Sequence, residues 1–543
     1  MMSASGRSVP TVVAATLAML AAGLLHAQQD RPTFRSSARL VELSVVVTDR
    51  HQNPATGLTA TDFQILDDGK PQKVALFWIE ESTAPTSSAA AAAAPAATKT
   101  TPRDRREFSN RLLDTGSVTI VLFDQFNTPS NARMRARDHV LKFLSQIKPD
   151  DRIGLYVLDD SGALRVLHDF TSDAASLVRA ISSLRGGDSA ALAGSEDSAR
   201  LALELESEFG GDREQKGGAL AMRQHYVGMQ GELSIDALES IGRYLSGVQN
   251  RKNLIWVSAA FPLTAFDYRG RAKTNEINRA TRALNDANVA LYTVDARGLL
   301  PAFTMVAGKP AITTLSMVQG TQDILQSVSE GTGGRAFLNN NDIHGAVRRA
   351  ADDARMTYVL GYYPTNDAWD GRFHQVAVKV SRPGLDVRHR KGYFAVATQA
   401  QASAQRAAAL QAATKSPINA SGLAMTLRID PVEGKSAEYR LTVRVDGSAM
   451  TLEPRGDELH GAIDVIVAQI RSDGSGNRDF DHTASIRVPG KRLDQFLRDG
   501  VSISHTLTTT PDLERLRVVV RDVRTGAVGA VSVSKEQLQN LAR

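Results

Sequence analysis

The sequence predicts an α/β protein: a doubly wound, mainly parallel sheet, with an N-terminal β unit before it and a C-terminal antiparallel β-sandwich after it. Three observations carry this. Between 115 and 364, short β-branched and apolar runs alternate with helical stretches, which implies right-handed crossovers and a sheet covered on both faces. Before 82 and after 421 the apolar residues instead alternate with period two between turn residues. The clearest parallel-type run, SVTIVLFD at 117–124, ends in a carboxylate, Asp124. Ligands of open α/β sheets bind beyond such carboxyl ends.

The chain has 543 residues, room for three or four domains of about 150 each. Its 42% hydrophobic and 23% charged content is that of an ordinary globular protein. A net charge of +5 over this length, with no Lys/Arg block, argues against nucleic acid as a partner. The absence of cysteine excludes disulfides, thiolate metal sites and cysteine nucleophiles. Residues 1–27 have the layout of a secretory signal peptide: Arg7 ahead of an apolar stretch from Thr11 to Leu25, then Ala27 before polar residues. The stretch is shorter than the ~20 residues of a membrane span. The expected localisation is therefore exported, periplasmic or extracellular, with no transmembrane span after cleavage.

The N-terminal β unit covers 35–82. A strand at 39–49, turn chemistry at 51–57, a strand at 62–66, a tight turn at Asp67-Asp68-Gly69 and a strand at 72–79 compose it. Residues 83–110, rich in Ala, Thr, Ser and Pro over 83–103, read as a linker. The α/β domain spans 115–364, with strands at 117–124, 152–158, 163–167, 253–257, 289–294 and 357–360. The third follows a short Asp159–Gly162 turn and is the expected antiparallel exception. Helices are expected at 130–147, from 171 to 184, at 235–248 behind a Ser234 cap, and at 273–287, 322–329 and 343–354; 185–232 reads as an irregular or partly helical insertion. A hairpin at 365–396 closes the domain, an Ala/Gln-rich linker covers 397–420, and 421–543 carries seven strands about 15 residues apart.

This order, with one antiparallel strand after the first helix and a carboxylate after strand one, resembles the von Willebrand factor A-type (vWA) domain. More narrowly, it is similar to acidobacterial-type VWFA-related exported proteins. The residues behind the resemblance include VVVTDRHQNPATGLTATDFQILDDGKPQKVALF (45–77), IVLFDQFNT (120–128), DDRIGLYVLD (150–159) and KNLIWVSAAF (252–261). ANVALYTVDARGL (287–299), SEGTGGRAF (329–337), YVLGYYPTN (358–366) and VRHRKGYF (387–394) continue it. The family commonly binds Mg²⁺ at a strand-end site called MIDAS, whose first segment is Asp-x-Ser-x-Ser. The resemblance implies Mg²⁺ or another divalent cation as the candidate cofactor, with Asp124 and Thr128 as metal ligands of a degenerate site. Phe126 replaces the first Ser and Ser258 stands where the second Asp belongs, so hard oxygen donors are missing. The alternative is that Asp124 caps the loop after strand one through an Asx-type hydrogen bond.

Other constellations are weaker. Asp159-Asp160 reads as turn polarity, Asp67-Asp68-Gly69 and Asp473–Gly476 lack the remaining EF-hand positions, and Gly331–Gly334 lacks the Lys-Ser/Thr of a phosphate loop. Eleven scattered histidines show no metal spacing, and no Gly-x-Ser-x-Gly elbow exists. Tyr362 and Tyr363 beside Trp369, with Tyr393 near Arg388 and Arg390, form either an aromatic, basic surface or packing between hairpin and sheet. The expected function is an exported, non-enzymatic protein-binding, adhesion or scaffold protein. It recognises a protein or peptide ligand at the strand-end face of Asp124, Asn127, Thr128 and Ser258. An exported hydrolase, drawing for instance on Ser258 and His225, and a purely structural envelope protein are the alternatives.

Overall fold

Strand Val118–Asp124 is wholly buried and sits inside a six-stranded sheet. From one edge the order is Arg335–Phe337, Val289–Asp295, Lys252–Ser258, Val118–Asp124, Ile153–Leu158 and Leu164–Thr171. All neighbours run parallel except the last pair, which is antiparallel. In this computed structural model the described residues are 40–81, 106–110, 117–184, 213–248, 250–259, 274–297, 305–306, 309–310, 312–365, 370–396, 403–435 and 437–541. The signal-peptide stretch 1–27 and most of the 83–110 stretch lie outside them.

Side-chain alternation splits the central strand between two cores. Val121 and Phe123 pack with helices Ser130–Leu144, Ala174–Ser182 and Ile343–Asp352. Ile120 and Leu122 pack on the other face, against helices Arg213–Tyr244, Thr274–Asp286 and Ile312–Gly331. Two-sided burial explains why these strands read as continuous apolar runs. The single antiparallel edge strand and the helix order give the α/β domain a vWA-like fold.

The domain boundaries differ from those read in the sequence. Met356–Tyr362 does not join the parallel sheet; it pairs antiparallel with Val41–Thr48 and Leu76–Glu81. The 365–396 segment does not close the α/β domain: its strand Asp370–Val380 pairs with Phe63–Asp67 and Gly392–Val396. Two four-stranded sheets thus share a core that includes Leu43, Val45, Ile65, Tyr358, Leu360 and Val376. The N-terminal β unit is one half of this β body, and the α/β domain is inserted between its halves.

Two expected linkers carry structure. Glu107–Ser109 pairs with Met425–Pro431, an edge of the C-terminal region. Ser403–Lys415 is a helix whose Leu410 and Ala413 join the core beneath the parallel sheet. Within 421–543, two antiparallel sheets direct Leu427, Leu441, Val465, Val518 and Val531 into a shared apolar core. No helix among the described residues is long and apolar enough to cross a membrane.

Candidate functional site

Asp124 is the last residue of its strand, and alternation places it on the same face as Ile120 and Leu122, beneath helix Arg213–Tyr244. Its side chain is 0% exposed. A buried carboxylate must find donors, and this one does. Asp124 Oδ1 accepts from the Asn127 backbone N–H at 2.9 Å. Asp124 Oδ2 accepts from Asn127 Nδ2 at 2.8 Å and from the indole Nε1 of Trp256 at 2.9 Å. The Ser258 hydroxyl also hydrogen-bonds to the carboxyl group. Burial pushes the Asp124 pKa up, while the Asn127, Ser258 and Trp256 donors pull it back.

The surrounding loop is equally committed. Asn127 Nδ2 also donates to Ser234 Oγ at 2.9 Å, and Ser234 Oγ donates to the Gln230 carbonyl at 2.8 Å. Ser234 is therefore not the expected helix cap: the helix begins upstream at Arg213, and the hydroxyl bonds back one turn. Thr128 Oγ1 accepts from the Ala259 N–H at 3.1 Å, tying the loop to the end of the neighbouring strand. Arg133, on the first helix, donates to the carbonyls of Gln125 at 2.6 Å and Thr128 at 3.1 Å, and pairs with Asp160 at 3.1 Å. Asp159 Oδ1 accepts from the N–H groups of Ser161 and Ala163, so this turn carboxylate is structural.

The four residues expected to form a recognition face, Asp124, Asn127, Thr128 and Ser258, are thus brought together, but all are buried. The expectation that they present an exposed surface is corrected. The sequence showed a carboxylate at a strand end, but not that the helix bearing Leu233 and Ser234 lies over it. Gly162 completes the cover: a Cβ there would sit 2.7 Å from Leu233 and 3.2 Å from Phe126. The capping alternative describes the observed geometry.

As arranged, these donors do not fit Mg²⁺, which demands near-octahedral oxygen and opposes a shell of N–H groups. Both Asp124 oxygens and Thr128 Oγ1 face N–H donors, and the Asn127 amide nitrogen lies between Asp124 Oδ2 and Ser234 Oγ. Asn127 Oδ1 is buried without a hydrogen-bond partner, and one neutral oxygen does not make such a site. At the end of parallel strand Val289–Asp295, beyond Lys252–Ser258, Asp295 is likewise occupied, held by Arg297 at 2.7 Å. His225 is exposed on its helix whereas Ser258 is wholly buried, so the Ser/His pair of the hydrolase alternative is not assembled.

Sequence reasoning missed Arg133 and Trp256, and read Ser234 only as a helix cap. Only Trp256 left a signal, since an indole in a fully buried strand needs an acceptor for its N–H.

No protein-family model and no curated protein sequence matches the chain. Solved structures similar to part of it include an aerotolerance-related membrane protein from Bacteroides fragilis, at 13% identity and a TM-score of 0.23, over 44% of this chain and 98% of that one. BatB from Bacteroides thetaiotaomicron matches at 13% and 0.21, over 44% and 98%. The SpRpn10 VWA domain matches at 12% and 0.21, over 43% and 95%. At such scores these likenesses carry no argument of their own; the vWA-like assignment rests on the strand order and directions above.

Proposed function

We propose that the chain is an exported, non-enzymatic protein-binding or scaffold protein, and that its vWA-like domain binds a protein or peptide without a divalent cation. The observation that carries the metal-independent part is the Asp124 cluster, in which N–H donors fill the places where a cation's oxygen ligands would be needed. Export follows from the sequence of residues 1–27, and protein recognition from the fold's resemblance to vWA domains. Since Asp124, Asn127, Thr128 and Ser258 are buried, they act as the internal brace of the strand-end rim. Contact falls to exposed residues around them, such as Ser161 and Ala163 at the 159–163 turn and Met134 on the first helix.

Affinity capture from the native envelope, with wild type and an Ala163→Trp variant, tests this. Capture of a defined partner in EDTA by wild type, and its loss in the variant, is expected. Equal capture by both would remove the rim from the proposal. Labelling of the wild type by a fluorophosphonate probe would instead favour a hydrolase.

A further inference from the structure

The β body contains a second cluster of titratable groups, assembled from distant sequence. Asp67 and Asp68 lie at the hairpin joining Phe63–Asp67 to Lys70–Gln72. Register pairs Asp67 with Lys70, which leaves a two-residue turn; Asp68 and Gly69 both take positive φ, 46° and 78°. That is the type I′ geometry favoured by Asp-Gly, and it fixes where both carboxylates point. His374 sits on Asp370–Val380, the strand paired with Phe63–Asp67.

Each carboxylate uses one oxygen to hold the fold and turns the other toward His374. Asp67 Oδ2 accepts from the phenols of Tyr362 and Tyr393, at 2.9 and 3.0 Å. Asp67 Oδ1 lies 3.7 Å from His374 Nδ1. Asp68 Oδ1 accepts from the Gln375 N–H at 2.9 Å, while Oδ2 lies 3.1 Å from the same His374 Nδ1. The three ligand atoms lie within 4.8 Å of one another. His374 is 5% exposed, its ring stacks on Tyr393 with centroids 5.2 Å apart, and its buried Nδ1 makes no hydrogen bond. A buried imidazole nitrogen aimed between two carboxylate oxygens, without hydrogen-bond geometry to either, lacks a group between the three.

We propose that Asp67, Asp68 and His374 bind a first-row divalent transition metal of the Zn²⁺ type. Tetrahedral Zn²⁺, with bonds of about 2.0–2.2 Å to nitrogen and oxygen, sets its donors about 3.3–3.5 Å apart. The observed 3.1 and 3.7 Å straddle that spacing. An imidazole donor favours such a metal over Mg²⁺ or Ca²⁺. The phenols on Asp67 Oδ2 act as outer partners that orient the ligating carboxylate. The Asp68 side chain is 48% exposed, so the fourth position opens to water and the ion has an entry path. Bound there, the metal clips the 63–72 hairpin to the strand that returns after the inserted α/β domain. The site is separate from the Asp124 cluster and does not depend on the proposed binding function.

The test uses the full chain, stripped with EDTA, dialysed against Zn²⁺ and assayed for bound metal. Co²⁺ substitution supplies a d–d spectrum. One tightly held equivalent and a rise in unfolding temperature are expected, with at least a tenfold loss of affinity in Asp68→Asn and no tight binding in His374→Gln. Asp68 is half-exposed at a turn, so circular dichroism of that variant separates lost binding from lost folding. Failure to retain one equivalent, or retention unchanged in Asp68→Asn, would overturn the proposal and leave His374 and the two aspartates as an ion-pair cluster.

Discussion

Replacing Asp124 with alanine probes the strand-end brace directly. The substitution removes the carboxylate that accepts from the buried backbone N–H of Asn127, the indole N–H of Trp256 and the hydroxyl of Ser258. Asn127 Nδ2 keeps Ser234 Oγ for one of its two N–H groups and loses the acceptor of the other. Each abandoned donor costs about 1–3 kcal/mol. Against this stands the relief of removing a carboxylate whose burial raises its pKa. The net expectation is a local destabilisation of about 2–4 kcal/mol. Hydrogen exchange of peptides spanning Val118–Asp124 and Lys252–Ser258 reads it locally, which matters in a chain with several domains. Exchange through local opening should accelerate between about thirtyfold and a thousandfold, taking about 1.4 kcal/mol per tenfold. Asp124→Asn should also destabilise, because its amide turns a third donor toward Asn127 Nδ2 and Trp256 Nε1. Unchanged exchange in the alanine variant would refute the reasoning, since the carboxylate would then brace nothing.

Other expectations follow from burial elsewhere. His389 Nε2 accepts from the Val378 N–H at 3.0 Å, which requires a neutral ring, and burial pulls its pKa down to about 4. Because the folded value lies below the unfolded 6.5, this contribution is present above pH 6.5 and is lost as pH falls toward 4. The loss is at most about 3 kcal/mol, and acid titration of His389→Gln should lack it. At Gly334 a Cβ would lie 1.9 Å from the Leu291 carbonyl oxygen, a backbone atom that cannot swing aside. Gly334→Ala should therefore destabilise by about 2–3 kcal/mol in denaturant unfolding, and a neutral result would show that the loop can move.

The parallel core was legible because strands buried on both faces leave unbroken apolar runs, as in Val118–Asp124 and Lys252–Ser258. The same signal misassigned Met356–Tyr362: periodicity reports a buried strand, not the sheet it joins. Helix Ser403–Lys415 was hidden by its alanines, which give little contrast between faces although Ala413 is fully buried. Asp124 and Asn127 were found from their place at a strand end together with the vWA resemblance, but the helix that covers them begins in a glycine- and charge-rich stretch with no clear amphipathic face. Asp68 and His374 are brought together only by the pairing of their strands across the inserted domain, and no local pattern announces that.

The most direct measurement is partner capture in the Asp68→Asn background, which weakens the second candidate metal site, compared in EDTA and in Mg²⁺. The expected result is the same partner at the same yield in both. A yield lost in EDTA and restored by Mg²⁺ would contradict a strand-end cluster sealed by its own N–H donors.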